Sequence, residues 1–198
     1  MAAEDFKILI TDDDVNLREL LTEAVKSWGY SVCTSRDGDE ALKRLKMEKF
    51  DIVIADLMMP IMDGLTLLNR IEELDRDALV IIITGYATID TAVKAIEAGA
   101  YDYIAKPFRL DELMIVLNNA CERLMLTAQN KALLQELRNA YAEIAMLRNS
   151  NGNLFETSDD EDGGASGEKD AQFEKDGAKT KEYIREADRF IRKPAGKN

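Results

Sequence analysis

Histidine is missing altogether from this chain of 198 residues. Its absence excludes a serine–histidine triad, histidine-ligated zinc and any role as a phosphohistidine donor. Cysteine is scarce. Cys33 and Cys121 lie far apart without CxxC spacing, so neither a disulfide framework nor a thiolate metal site is expected, and each reads as a small buried apolar residue. Positive charge is also short: 26 Lys and Arg face 38 Asp and Glu, for a formal net charge of −12. Binding to nucleic acid, which needs clustered Lys and Arg, is not expected. No apolar stretch approaches the ~20 residues of a membrane helix. Met1-Ala2-Ala3-Glu4-Asp5 lacks the basic flank and apolar core of a signal peptide. The default expectation is a soluble cytoplasmic protein.

What is present is a regular alternation. Short apolar runs at 6–11, 31–35, 51–55, 79–84 and 101–105 read as strands. Between them lie segments of helical period: Leu17, Leu20, Leu21, Ala24 and Val25, then Ala41, Leu42 and Leu45. Leu67, Leu68 and Ile71 follow, and then Ala92, Val93 and Ile96. Asp14, Asp37 and Asp63 precede such runs and suit N-caps, and Thr88 precedes the fourth. Gly64 and Gly99 suit turns or caps. Continuously apolar strands alternating with helices imply an α/β fold with a parallel sheet covered on both faces. Five units make a doubly wound, flavodoxin-like sheet of strand order 2-1-3-4-5.

In such a sheet the C-terminal strand ends open into one crevice. Asp12 and Asp13 end the first run, Asp56 the third and Thr84 the fourth, while Lys106 follows the fifth. Three converging carboxylates cannot all stay ionised without a cation. A hard, oxygen-preferring ion meets that need, and Mg²⁺ suits a shallow crevice because it keeps several waters. Asp56, just before Leu57-Met58-Met59-Pro60, is the carboxylate best exposed for attack on phosphorus, giving an aspartyl phosphate. The Lys106 ammonium and Thr84 hydroxyl would bind the phosphoryl oxygens.

Four segments in order carry a family resemblance: Ile8-Leu9-Ile10-Thr11-Asp12-Asp13-Asp14, Asp56 through Gly64, Thr84-Gly85-Tyr86, and Gly99 through Phe108. Over 5–122 the chain resembles a response-regulator receiver domain of the two-component phosphorelay family, similar to the receivers of NtrC-like regulators. The resemblance implies Asp56 as phosphoacceptor. It implies Asp12 and Asp13 as metal ligands, joined by the Met58 backbone carbonyl. Thr84 and Lys106 become phosphoryl contacts, Tyr103 the aromatic switch, and Lys106-Pro107 a cis bond. A receiver of this kind accepts a phosphoryl group from a sensor histidine kinase and is not itself an enzyme. Met58 and Tyr86 would flank the phosphoryl group, and neither is an acid or amide suited to orient water. Slow loss of the group is therefore expected.

From Leu110 to Ser150 no Pro or Gly intervenes, and apolar residues recur at 3 and 4. One long helix is expected, far longer than a sheet five or six residues deep. Its continuation at 123–149 admits a parallel coiled coil that makes a homodimer through 110–148, a lone charged helix, or a helix folded back. Residues 150–198 form an acidic, polar tail expected to be largely disordered, with a short amphipathic segment at 181–192. That segment suits a marginal helix or a docking peptide. No GxxxxGK[ST] and no helix-turn-helix pattern appears, so neither an ATPase nor a DNA-binding module is expected in these residues. Output by contact with an unknown downstream protein, or by dimerisation, follows. The alternative is a phosphotransfer intermediate or phosphate sink.

Overall fold

The computed structural model describes residues 6–74 and 77–152. The acidic run and the segment 181–192 lie outside the described residues. Five strands, β1 (Lys7–Thr11), β2 (Ser31–Ser35), β3 (Ile52–Asp56), β4 (Leu79–Thr84) and β5 (Asp102–Ala105), form one sheet in the order β2-β1-β3-β4-β5. Every pairing is parallel. Asp56 belongs to the third strand and does not merely follow it.

Parallel neighbours need crossovers, and the helices α1 (Val15–Ser27), α2 (Gly38–Met47), α3 (Gly64–Glu73) and α4 (Ile89–Glu97) supply them. Successive side chains of a strand point to opposite faces, so each strand feeds two cores. Ile8, Ile10, Ile52, Ile54, Ile81, Ile83 and Ile104 pack with Leu21 and Val25 of α1 and with Leu113, Leu117 and Ala120. Leu9, Val53, Ala55, Val80 and Ile82 pack with Ala41, Leu45, Leu67, Leu68, Ile71 and Ala95 on the other face. Asp14, Asp37, Asp63 and Thr88 cap the four crossover helices, each side-chain oxygen accepting an amide of the first turn.

Several expectations need correction. Leu20 is half exposed, whereas Leu21 and Val25 carry the buried face of α1. On α4 the stripe Ala92, Val93, Ile96 is not the core face. Val93 and Ile96 are exposed and Ala95 alone is buried. Periodicity shows which residues share a helix face, but not whether anything lies against that face. Cys121 is buried as expected, but Cys33 is only partly so. Gly99 does sit at a positive φ of +92° after α4. Gly64 is different: it opens α3, and an added Cβ would overlap the Asp56 carbonyl oxygen.

The last helix, α5, runs Leu110–Gly152. The chain divides into two compact units, the first running to Met125 and the second beginning at Leu126. In the first, Leu113, Leu117, Ala120 and Cys121 are buried, with Leu124 and Met125 packed against the same core. In the second, Leu126, Leu133, Leu137, Tyr141, Ile144 and Leu147 are exposed along the helix. Among the described residues no helix is long and apolar enough to cross a membrane.

Candidate functional site

The parallel register brings the strand ends level. Thr11 pairs with Ala55, Asp56 with Ile83, and Thr84 with Ala105. The residues on or just beyond those ends therefore come together although they are scattered in sequence. Backbone bonds hold the chain as it leaves each strand: the Asp12 amide donates to the Ser35 carbonyl at 3.3 Å, the Leu57 amide to Ile83 at 3.0 Å, and the Lys106 amide to Thr84 at 2.7 Å.

Asp12, Asp13 and Asp56 each place a carboxylate oxygen within 4.8 Å of the others. Asp12 and Asp56 are buried and Asp13 is exposed, which corrects the expectation that Asp56 is the best exposed of the three: it is the last residue of the fully buried strand β3. Lys106 Nζ donates to Asp12 Oδ2 at 2.9 Å and to Asp56 Oδ2 at 2.8 Å. The second oxygen of each buried carboxylate meets a backbone donor. The Asp14 amide reaches Asp12 Oδ1 at 2.8 Å, and the Met58 amide reaches Asp56 Oδ1 at 3.3 Å.

Burial pushes the Asp12 carboxyl above the ordinary range, against the opposing pull of Lys106 and the Asp14 amide. Burial also works against the Lys106 charge. Its bonds to Asp56 and Asp12 outweigh that cost and hold the ammonium above the usual lysine value. An ammonium between two carboxylates is the arrangement expected where negative charge would otherwise stand uncompensated.

Thr84 is wholly buried at the end of β4, and its Oγ1 accepts the Tyr86 amide at 3.1 Å. The Lys106–Pro107 peptide bond is cis. Met58 and Tyr86 are exposed on the loops after β3 and β4. Tyr103 lies half-buried on the edge strand β5, and its hydroxyl is 2.8 Å from Thr91 Oγ1. Thr91 went unread in the sequence. A threonine three residues after a capping threonine is the one local signal that could have marked it. Arg18 was also missed: Nη1 donates to the Asp12 carbonyl from the second turn of α1. No local pattern announces that contact.

The chain is similar to several known proteins. ZraR of Klebsiella oxytoca, a transcriptional regulatory protein, is 37% identical over 120 residues, covering 61% of this chain and 27% of that protein. DctD of Rhizobium meliloti, a C4-dicarboxylate transport transcriptional regulatory protein, is 40% identical over 126 residues, covering 64% of this chain and 27% of that protein. The chain thus spans 27% of the length of each of these two curated relatives. Among solved structures, a chain of the CheX–CheY–BeF3–Mg²⁺ complex from Borrelia burgdorferi superposes with a TM-score of 0.55 at 34% identity. That match covers 57% of this chain and 86% of the other. Residues 8–118 match the response regulator receiver domain. With the five-stranded parallel sheet and the acidic strand ends already described, the chain belongs to the response regulator receiver family.

Proposed function

We propose that this chain is a two-component response regulator in which Asp56 accepts a phosphoryl group from a sensor histidine kinase acting in trans. The observation that carries this reading is the meeting of three carboxylates within 4.8 Å, two of them bonded to the Lys106 ammonium. Lys106 brings one positive charge to three acidic groups, so a further cation is favoured. The donors are all oxygen, one of them on exposed Asp13, which suits a hard ion that keeps some of its water. Asp12, Asp13, Asp56 and the Met58 backbone carbonyl would hold Mg²⁺. When bound, Mg²⁺ supplies charge neutralisation for both the carboxylate nucleophile and the incoming phosphoryl group. The Borrelia burgdorferi complex, named for BeF3 and Mg²⁺, is consistent with this reading.

An Asp56 carboxylate oxygen attacks phosphorus. An O–P bond forms as the donor's N–P bond breaks, and the electron pair of the broken bond leaves with the donor imidazole. Lys106 is already placed to follow the charge, since its ammonium can exchange a carboxylate oxygen for a phosphoryl oxygen. The Thr84 hydroxyl, at the neighbouring strand end, is the second phosphoryl contact. Its movement frees space that Tyr103 can occupy, and this changes the surface around α4 and β5. Because Met58 and Tyr86 offer no acid or amide to orient water, the phosphoryl group is lost slowly.

Output runs through the helical extension, 123–149. Leu134, Leu137, Tyr141, Ile144 and Leu147, the first partly buried and the others exposed, form the apolar seam that a parallel partner helix would cover, giving a homodimer whose formation responds to phosphorylation. The test is labelling with acetyl phosphate in Mg²⁺, followed by light scattering with and without beryllofluoride. Wild type should label and Asp56→Asn should not. Labelling that survives Asp56→Asn overturns the assignment, and an unchanged monomer in both states overturns the dimer.

A further inference from the structure

We propose that Arg18 is a positioning residue for the acidic pair: its guanidinium grips the Asp12 carbonyl and thereby sets the aim of Asp12 and Asp13 toward a divalent cation. This inference rests on the reading of the cluster as a cation site. Arg18 lies on the second turn of α1 and donates Nη1 to the Asp12 carbonyl oxygen. Its own amide donates to the Asp14 carbonyl at 3.0 Å. The Asp14 side chain caps the same helix through the Asn16 and Leu17 amides, and the Asp14 amide holds Asp12 Oδ1. The turn from β1 into α1 is thus closed by reciprocal bonds, and Arg18 supplies the one that reaches back to the strand end.

The peptide unit makes that bond consequential. The Asp12 carbonyl oxygen and the Asp13 amide belong to one rigid plane. Anchoring the oxygen fixes that plane and the Asp13 Cα, and the Asp14 amide, held by Asp12 Oδ1, fixes the next plane; together the two set the direction in which the Asp13 Cα–Cβ bond leaves the chain. Asp13 needs such control. Among the described residues no hydrogen bond or ion pair engages its carboxylate, yet that group completes the trio within 4.8 Å. Its direction comes from the backbone, and the backbone there is held by Arg18.

The choice of acceptor matters equally. A guanidinium four residues beyond the run Asp12-Asp13-Asp14 has an electrostatic reason to form a bidentate ion pair with one of those carboxylates. Here it takes a carbonyl oxygen, and among the described residues it forms no ion pair. The carboxylate oxygens of Asp13 stay available for a cation as a result.

Two effects of opposite sign separate this role from a bare charge effect. Removing a positive charge near the site strengthens cation binding, whereas releasing the backbone weakens it. Mg²⁺ binding to the full-length chain, measured by calorimetry for wild type, Arg18→Met, Arg18→Gln and Arg18→Lys, decides between them. Arg18→Met and Arg18→Gln are expected to raise the Mg²⁺ dissociation constant about tenfold, the scale seen when a group that orients a metal ligand is lost. Arg18→Lys, which keeps a donor and the charge, should recover part of that loss. Unchanged or tighter Mg²⁺ binding in a folded variant overturns the proposal, as does a lower Mg²⁺-free melting midpoint with unaltered affinity. A wild-type chain that binds no Mg²⁺ overturns the cation-site reading itself and the Arg18 role with it. Wild-type binding with unaffected variants overturns only the latter.

Discussion

The Thr91 hydroxyl oxygen lies 2.8 Å from the hydroxyl of Tyr103, so a capping residue of α4 and the half-buried aromatic of the edge strand meet at one oxygen. The same Thr91 oxygen accepts the Thr88 amide at 3.0 Å and stands 3.0 Å from the Thr88 carbonyl. A hydroxyl has one proton and two acceptor positions. The Thr88 amide takes one acceptor position, and the Tyr103 hydroxyl, the Thr88 hydroxyl at 3.0 Å and the Thr88 and Tyr86 carbonyls at 3.0 and 3.4 Å share the remaining position and the single proton. The cap of α4 and the position of Tyr103 are therefore coupled. The coupling falls on the helix least held by the core, since Ala95 is its one buried residue.

Replacing Thr91 with Val keeps the side-chain shape and removes that shared oxygen. Thr91→Val should cost about 1 kcal/mol in urea denaturation, the usual worth of a helix cap. Tyr103→Phe should cost less, because its hydroxyl is only half buried. A double-mutant cycle should return a coupling of about 0.5–1 kcal/mol between the two sites. Strict additivity would show that the two hydroxyls do not support one another.

The acidic cluster sets function against stability. Asp13 shares a 4.8 Å neighbourhood with two buried carboxylates, and in the absence of a cation their repulsion destabilises the fold. Asp13→Asn is expected to raise the stability of Mg²⁺-free protein by about 1 kcal/mol, the low end of such interactions because Asp13 is exposed. The same variant should lose most of the stabilisation that Mg²⁺ confers on wild type. Thermal melts with EDTA and with Mg²⁺ read both effects. A variant less stable than wild type in EDTA would contradict this account of the cluster.

Two glycines separate crowding from backbone conformation. At Gly64 an added Cβ would overlap the Asp56 carbonyl oxygen and stand 3.0 Å from Leu57 Cα, both rigid backbone atoms. Gly64→Ala should cost about 2 kcal/mol or more by overpacking. It should also slow labelling of Asp56, since the displaced atoms belong to the strand end that carries the nucleophile. Gly99 has open space around it but a φ of +92°. Gly99→Ala should cost about 1 kcal/mol in backbone strain and leave labelling unchanged. Equal labelling defects in the two variants would contradict the distinction.

Ile61 holds a φ of +69°, in the left-handed region that β-branched residues avoid. It occupies the loop between Asp56 and α3, where the Met62 amide closes on the Pro60 carbonyl at 2.7 Å. Its side chain is 81% exposed, so replacement sacrifices little burial. Ile61→Asn should stabilise the protein by about 1 kcal/mol, because Asn tolerates this conformation far better. A loss of stability, measured by urea denaturation, would mean that the exposed side chain contributes more than the strain costs.

Much of this fold was legible before any coordinates. Runs such as Ile52-Val53-Ile54-Ala55 and Leu79-Val80-Ile81-Ile82-Ile83 are apolar without alternation because both faces of their strands are covered, and the helices between them carry their caps openly in Asp14, Asp37, Asp63 and Thr88. The meeting of Asp12, Asp13, Asp56 and Lys106 was legible for the same reason: a parallel sheet places all its C-terminal strand ends on one side.

Local pattern determined the elements, their order and the polar residues at their ends, because hydrophobic period and capping chemistry act over a few neighbours along the chain. The tertiary structure alone decided which apolar stripe found a partner, leaving Leu20, Val93 and Ile96 in solvent while Ala95 closes on the sheet. It decided likewise that Arg18 takes the Asp12 carbonyl and forms no ion pair among the described residues, and that Thr91 shares its oxygen with Tyr103. Those outcomes depend on what another segment presents within a few ångströms, and one-dimensional periodicity carries no record of that distance.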